Sequence, residues 1–553
     1  MHGQPPDTNR DRLLHFPDNW KPWLWLRPGT WGEFESERRS VFFSRRRDPE
    51  DLGFSRFAPA RGVIRVPQPS VILLDLRRRL VTDAEFAKLT ALQPNHIDII
   101  DLSSAVLEND QLSYFQTFKS LRSLKLTRTT RDRTWQTVLL SGFLVPPSGI
   151  TDAGMQFVNL LPHLTELDLS GTTVTGRGLA FLSNLENLSY LNVQSSHVTE
   201  EGLRNLPRPD KLQVLDWGSQ DVTNSTVSQF ASLPSLKQLS LSVCDLSGSA
   251  IKQLSSLTSL EYLDLTLTKI DDDALSVLSS LSGIKLLNLA YTNVSDEGLK
   301  HLRKWYELRR IDLSSTELTQ VGLSYLSDKF NMTELILRHA KITDDSLQHL
   351  HGMPGLADLD ISYTDISGAA FAHAEKFENL QCLVMDGSYL SEDALSHIAT
   401  LPRLRSLSIS HTRVSDDVSA LASCPSLLSL DLSFTSVSDS NVKELRNLVG
   451  LRKLRLRGTA VTDLGLGYVS QFAQLRSLDI ALTRVTWIGL GQIAKMSNLD
   501  ELVLDHTNLG QSEIAVLSEM KRLKHLIISR NQVPPGSVEW LNNELLDCDI
   551  DTV

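Results

Sequence analysis

The chain has few cysteines, no long apolar run near its start and none of the short motifs that mark catalysis. Its four cysteines, Cys244, Cys382, Cys424 and Cys548, lie far apart without a C-x-x-C pair, so they read as free thiols and indicate neither a zinc site nor a disulfide framework. The longest early apolar run, Trp23 to Leu26, is far short of the apolar core of an export signal and shorter still than a membrane span. G-x-S-x-G, H-E-x-x-H, P-loop and G-x-G-x-x-G patterns are absent, and Gly465 with Gly467 is only a fragment of a glycine loop. His349 and His351 miss the i, i+4 spacing that puts two metal ligands on one helix face. No catalytic group, metal or cofactor is therefore expected.

What is present in quantity is material for a core. Apolar residues make up 41% of the 553, which excludes wholesale disorder. The net charge of -11 is unevenly placed: residues 1–70 carry twelve Lys/Arg against nine Asp/Glu, or +3, which leaves -14 for the rest. An acidic body repels a polyanion, so neither DNA nor RNA is expected as its partner.

Periodicity dominates from Leu164 onward. Leu-x-x-Leu-x-Leu recurs with its first position at 164, 188, 212, 236, 260, 284, 308, 332, 356, 380, 404, 427, 451, 475, 499 and 523, a period of 24 with a single 23-residue step before Leu427. The missing residue falls in the loop between Val414 and Val418. The second motif position is Leu in every repeat except Ile311, and the third is always apolar. Alternate residues of a strand point the same way, so these columns face one interior.

Ten residues after each first position comes another apolar residue, such as Val174, Ile270 or Val461, and Ser or Thr follows in thirteen of the sixteen repeats, often with Asp or Glu next. A hydroxyl there can accept a bond from a free amide of a helix's first turn, and the acid suits the positive end of the helix dipole. Leu179 with Leu182, Leu299 with Leu302 and Leu347 with Leu350 then give the i, i+3 spacing of a short helix with one buried stripe.

Each repeat is thus strand, turn, short helix and return. This pattern resembles the leucine-rich-repeat family, and Thr459-Ala-Val-Thr-Asp-Leu-Gly-Leu466 is similar to the intracellular ribonuclease-inhibitor-like and F-box-type repeats. The resemblance covers about 480 residues. It implies an α/β solenoid with a curved parallel sheet on the concave face and short helices on the convex face. It also implies a reducing, cytoplasmic setting, since extracellular solenoids of this kind seal their ends with cysteine clusters. Eight residues after the first Leu, where many family members place Asn, this chain has Thr in ten of sixteen repeats, including Thr172, Thr268, Thr292 and Thr507. A threonine ladder in place of the asparagine one is the expectation.

Three weaker repeats precede the array, at Val71–Leu76, Ile97–Leu102 and Leu121–Leu126, for about nineteen in all over residues 71–533. At 4.8 Å between strands the sheet would run roughly 90 Å. Residues 131–149 interrupt the repeat at Leu121 and carry Trp135, which reads either as a partner-contacting residue or as part of a packed lid. Residues 1–70 hold no repeat but are rich in aromatic and basic residues, which suits a cap on the first repeat or a docking arm. Residues 534–553 read as a C-terminal capping half-repeat, with Ile550 where the next strand's second Leu would fall.

The informative surface is the strand face opposite the core. Its fourth position after the first Leu holds Asp168, Asp216, Asp264, Asp312 and Asp360 in every second repeat, then Asp431 and Asp479. Spacing the carboxylates two strands apart limits their repulsion, which at 5 Å and an effective dielectric of 20 would be about 3 kcal/mol. Arg455 lies between Asp431 and Asp479, where it could pair with both, and Lys453, Arg455 and Arg457 form a basic spot. The sequence therefore favours a non-catalytic scaffold, a monomer in itself, that binds a protein or peptide on this face and no membrane. Two alternatives stay open: the substrate-recognition subunit of an F-box-like ubiquitin-ligase complex, although no F-box pattern is evident, and an enzyme acting through residues 1–70 or the insertion.

Overall fold

In a computed structural model the chain divides into two compact units, Met1–Asp264 and Leu265–Val553. The structure describes residues 12–16, 23–28, 55–59, 62–66, 70–77, 83, 97–129, 138–140, 143–145, 149–246, 248–414, 418–424, 426–507, 509–529, 533–546 and 548–552. Each Leu-x-x-Leu-x-Leu run forms a strand of about three residues centred on its second Leu. In the first unit Leu124, Leu167, Leu191, Leu215, Leu239 and Leu263 lie side by side in parallel register. In the second the same column runs from Leu287 through Ile311 and on to Leu526 and Ile550. The family's solenoid, a parallel sheet lined by one aliphatic column and backed by short helices, is thus the fold of each unit. The shortened repeat keeps its register, Ser406 opposite Ser429, although the residues that absorb the missing one, 415–417, lie outside the described residues.

Both ends carry pairings the repeat does not require. Trp23–Pro28 lies antiparallel against Ser70–Asp75 on one side and Ser55–Pro59 on the other, and Arg12–Phe16 pairs with Gly62–Val66. The insertion contains an antiparallel hairpin, Val138–Leu140 with Phe143–Val145. Ser123–Lys125 pairs with Glu166–Asp168 across it. At the other end Asp549–Thr552 adds a parallel strand to His525–Ile528 after the helix Ser537–Glu544.

The columns are dry. Leu167, Leu191, Leu335, Leu430, Leu454 and Leu478 are fully buried, and so is the helix stripe of Leu179, Leu182, Leu302 and Leu347. The hydroxyl caps form as well, with Thr175 accepting from the amide of Arg177 at 3.1 Å and Ser295 from that of Glu297 at 3.3 Å. Several repeats use 3-10 geometry instead of an α-helix, as in Asp344–Gly352 and Ser419–Ser423. A return path this short favours the tighter winding.

The acid after the cap does more than suit a dipole. Asp152, Asp272, Asp296, Asp344, Asp439 and Asp463 each reach forward to the capping residue of the next repeat. Asp439, for example, accepts from the Thr462 amide at 2.8 Å and hydroxyl at 2.6 Å, and from the Gly465 amide at 2.9 Å. A Cβ on Gly465 would come within 2.4 Å of that carboxylate, and one on Gly489 within 2.5 Å of Asp463. The Thr-Asp-x-Gly pattern is therefore an inter-repeat clasp, and its glycine makes room for the neighbour's acid.

The threonine column behaves differently from a ladder. Thr172 donates to the carbonyl of Leu169 at 2.6 Å, Thr292 to Leu289 at 2.6 Å and Thr459 to Leu456 at 2.6 Å, each inside its own repeat. In these repeats the hydroxyl closes the bend that follows its own strand, while Gln220 and Ser388 at the same position reach the preceding repeat, at the Val193 carbonyl (3.0 Å) and the Ile361 carbonyl (3.3 Å). That bend explains a second column. The residue just before the threonine adopts positive φ in repeat after repeat, including Leu267 at 56°, Tyr291 at 56°, Tyr363 at 56°, Phe434 at 56° and Leu482 at 55°. Gly387 and Gly458 take the same position at 65°, and Tyr363 and Phe434 respectively lean over them.

Candidate interaction surface

All seven aspartates of the fourth column stand at the last residue of a strand, as in Glu166–Asp168, Tyr262–Asp264, Asp358–Asp360 and Ser477–Asp479. That place gives most of them a local job. The amide two residues on donates to the carboxylate: Ser170 to Asp168 at 2.9 Å, Gly218 to Asp216 at 3.2 Å, Ser314 to Asp312 at 3.0 Å, Ser433 to Asp431 at 2.9 Å and Ala481 to Asp479 at 3.0 Å. Asn192 and Asn288 accept in the same way, each at 3.0 Å. Where it holds Asp or Asn, the column thus supplies a side-chain oxygen acceptor at the strand exit, which is the turn chemistry those residues supply best, whereas Ile336, Val384, Arg455 and Val503 end their strands without one.

In the first unit the repeats between the acids help them. Asn192 donates to Asp168 at 3.2 Å, and Ser240 donates to Asp264 at 3.2 Å. The alternation does not relieve everything. Burial, reinforced by the carboxylates of Asp264 and Asp168, pushes Asp216 up to about 7. Doubling the separation to about 10 Å still leaves a repulsion of about 1.7 kcal/mol at an effective dielectric of 20.

The second unit pairs three of its four acids in this column with arginine. Arg338 pairs with Asp360, and Arg455 with Asp431 at 3.1 Å. Asp479, which the sequence reading assigned to Arg455 as well, is held instead by Arg457 at 3.1 Å. Asp431 and Asp479 flank Arg455 on opposite sides, and one guanidinium leans to one of them. Arg457 also reaches Asp505 through both terminal nitrogens, one at 2.9 Å, so two of the three bases of the expected basic spot are spent internally. Lys453 lies half-buried in register with Ser429 and Ser477. Trp135 of the insertion lies outside the described residues.

Sequence reasoning missed Arg338, Asp505 and the positive-φ column. Along that column His339 stacks on Tyr363 at 4.7 Å and His411 on Phe434 at 4.4 Å, with both Tyr363 and Phe434 exposed. The signal was available, since Gly171, Gly387 and Gly458 recur at the same position and glycine is the residue that accepts positive φ freely.

The thiols are poor nucleophiles. Burial pushes Cys244 up to about 12 and Cys382 up to about 11, and raises Cys424 as well. Iodoacetamide at pH 7.5 should therefore leave these three unmodified in the native chain and label them after unfolding. Mass spectrometry reads the outcome, and labelling of any of the three within minutes under native conditions would contradict the packing described. Among the described residues no group of three or more His, Cys, Asp or Glu is placed to hold a metal ion, and no helix is long and apolar enough to cross a membrane.

Comparison with known proteins finds the same repeat. A leucine-rich-repeat family model matches residues 161–183 and 256–279. No curated protein matches. Among solved structures the chain is similar to an internalin from Listeria monocytogenes, with 21% identity over 60% of this chain and 88% of that one and a TM-score of 0.43. It is also similar to a leucine-rich-repeat protein of Leptospira interrogans, with 17% identity over 86% and 99% and a TM-score of 0.40. A third likeness is to TLR13 in its complex with ssRNA13, with 14% identity over 87% and 84% and a TM-score of 0.45. The repeat match and the stacked strand-and-helix turns together show a leucine-rich-repeat fold.

Proposed function

We propose that the chain is a non-catalytic scaffold that binds a protein or peptide on its strand face. The observation that carries this reading is the contrast between the two sides of the sheet. The inward columns are fully buried, while the outward residues, such as Asp168, Asp216, Asp360, Lys453 and Asp479, keep partial access to solvent in the strands themselves. Within each unit, a surface with fixed strand spacing and a varied set of outward side chains is suited to recognising an extended partner, with a few residues carrying most of the energy.

On this reading residues 1–70 and 534–553 cap the first and last repeats, the protein is a monomer that works in a reducing compartment, and neither nucleic acid nor a membrane is its partner. The strands Trp23–Pro28 and Asp549–Thr552, each paired to the edge of a parallel sheet, support the capping assignment. The intracellular type of repeat is favoured by the near-constant period of 24 and the free thiols.

Affinity purification tests the scaffold reading. The full chain is compared with a variant carrying Asp168→Asn, Asp312→Asn and Asp360→Asn and with one carrying Lys453→Gln. Partners that disappear with either variant, while helix-side substitutions such as Val321→Ser and Leu464→Ser keep them, would support the strand face. Partners retained by every strand-face variant and lost from the helix-side variants would overturn it.

A further inference from the structure

We propose that the strand face over the repeats beginning at Leu404, Leu427, Leu451 and Leu475 docks an acidic segment of a partner protein that carries an apolar anchor. The proposal rests on the strand face being the binding face, as argued above.

Three cations here are uncompensated. Arg405 and Arg452, each the residue just before its strand, are exposed and Lys453, the first residue of its strand, is half-buried, and among the described residues none of them forms an ion pair. Their neighbours differ: Arg455, Arg457 and Arg476 each have an aspartate partner. The floor next to Lys453 is neutral, with Ser429 and Ser477 in register on its two sides, Ser406 one strand further on one side and Glu501 one strand further on the other. In a chain of net charge -11, unpaired cations over a serine floor form a local positive potential that faces solvent.

The opposite end of the same strands supplies a second, independent feature. Phe434 holds positive φ, stacks on His411 at 4.4 Å, leans over Gly458 and is 41% exposed. A bulky L-residue in that conformation is strained, and a ring left open to water recovers little of the strain through burial. Lys453 and Gly458 are five residues apart, at most roughly 16 Å along a strand. An extended segment of about five residues spans that distance, with carboxylates on Arg405, Arg452 and Lys453 and an apolar side chain against Phe434.

Fluorescence anisotropy on the full chain tests this with a labelled peptide of five glutamates, two glycines and a terminal tryptophan, beside a control with lysine in place of glutamate. The glutamate peptide should bind, and more weakly as salt rises. The combined variant R405Q, R452Q and K453Q should weaken it at least about tenfold. The charge-keeping variant R405K, R452K and K453R should bind within about threefold of the parent, which separates lost charge from lost folding. Phe434→Asn, whose new side chain tolerates positive φ, should weaken the tryptophan peptide several-fold and leave a peptide without tryptophan unchanged.

Equal binding of the lysine peptide, no binding of the glutamate peptide, or an unchanged affinity in the neutralised variant would overturn the proposal. The scaffold reading fails separately, through partners that ignore every strand-face substitution. Partners lost from the aspartate variant together with an unbound glutamate peptide would leave that reading intact and remove only the acidic occupant.

Discussion

Replacing Asp463 with alanine is expected to destabilise the repeats around it by about 3 kcal/mol. Its carboxylate accepts from the Thr486 amide at 2.7 Å, the Thr486 hydroxyl at 2.7 Å and the Gly489 amide at 3.1 Å. Hydrogen bonds to a charged group contribute about 1.5–3 kcal/mol each, and removing the acceptor leaves donors at a helix start unsatisfied. The three bonds share one carboxylate and water can partly replace it, so the sum is well below three times the single value. Asp463→Asn should cost only about 1 kcal/mol, because the amide oxygen still accepts.

The loss should also be local. A solenoid's stability is close to a sum of repeat and nearest-neighbour contributions. Hydrogen exchange should therefore accelerate over residues 463–493 and stay unchanged over Leu286–Asn288 and its neighbours. Exchange in Asp463→Ala indistinguishable from the parent would show that the clasp contributes nothing.

The second large effect has the opposite sign. Asp216→Asn should stabilise the first unit above pH 7 by on the order of 2–4 kcal/mol. Burial and the neighbouring carboxylates raise the folded value to about 7 from an ordinary 3.8. Between about pH 4 and 7 the folded chain then binds a proton that the unfolded chain has released. Stability from this group is fully present below pH 4, falls as pH rises and levels off above 7. A rise from 3.8 to about 7 corresponds to about 4 kcal/mol, which sets the upper end. Asparagine keeps the acceptor for the Gly218 amide, as Asn192 does for Gln194, and carries no charge to desolvate. Hydrogen exchange of Val214–Asp216 and its flanking strands at pH 4.5, 6 and 8 should find the variant level with the parent at the lowest pH and increasingly ahead above it. A variant less stable than the parent at pH 8 would contradict the assignment.

Much of this architecture is legible in the residues because a repeat multiplies weak signals. One Leu-x-x-Leu-x-Leu says little, but sixteen in register define the strands, the interior column and the cap positions. The pairing of Leu124 with Leu167 across the insertion follows from the same columns. What the sequence conceals is where side chains reach between repeats. Asp439 and Asp463 look like dipole partners of their own helices, and only the stacked geometry brings each within bonding distance of the next threonine. Arg457 was legible as a base but not as the partner of Asp479 and Asp505, since the choice between Arg455 and Arg457 depends on side-chain reach rather than spacing. The positive-φ column is advertised only where Gly171, Gly387 and Gly458 occupy it, and bulky residues such as Tyr363 and Phe434 mask it in the other repeats.

The central claim, that a partner sits on the strand face, is tested most directly by hydrogen exchange of the full chain with and without a purified partner. Binding should slow exchange in the strands and the bends after them, above all in Ser406–Ser408, Ser429–Asp431, Lys453–Arg455 and Ser477–Asp479. The helices Asp439–Glu444, Asp463–Val469 and Trp487–Ile493 should stay unchanged. Protection confined to those helices, with the strands unaffected, would contradict the account.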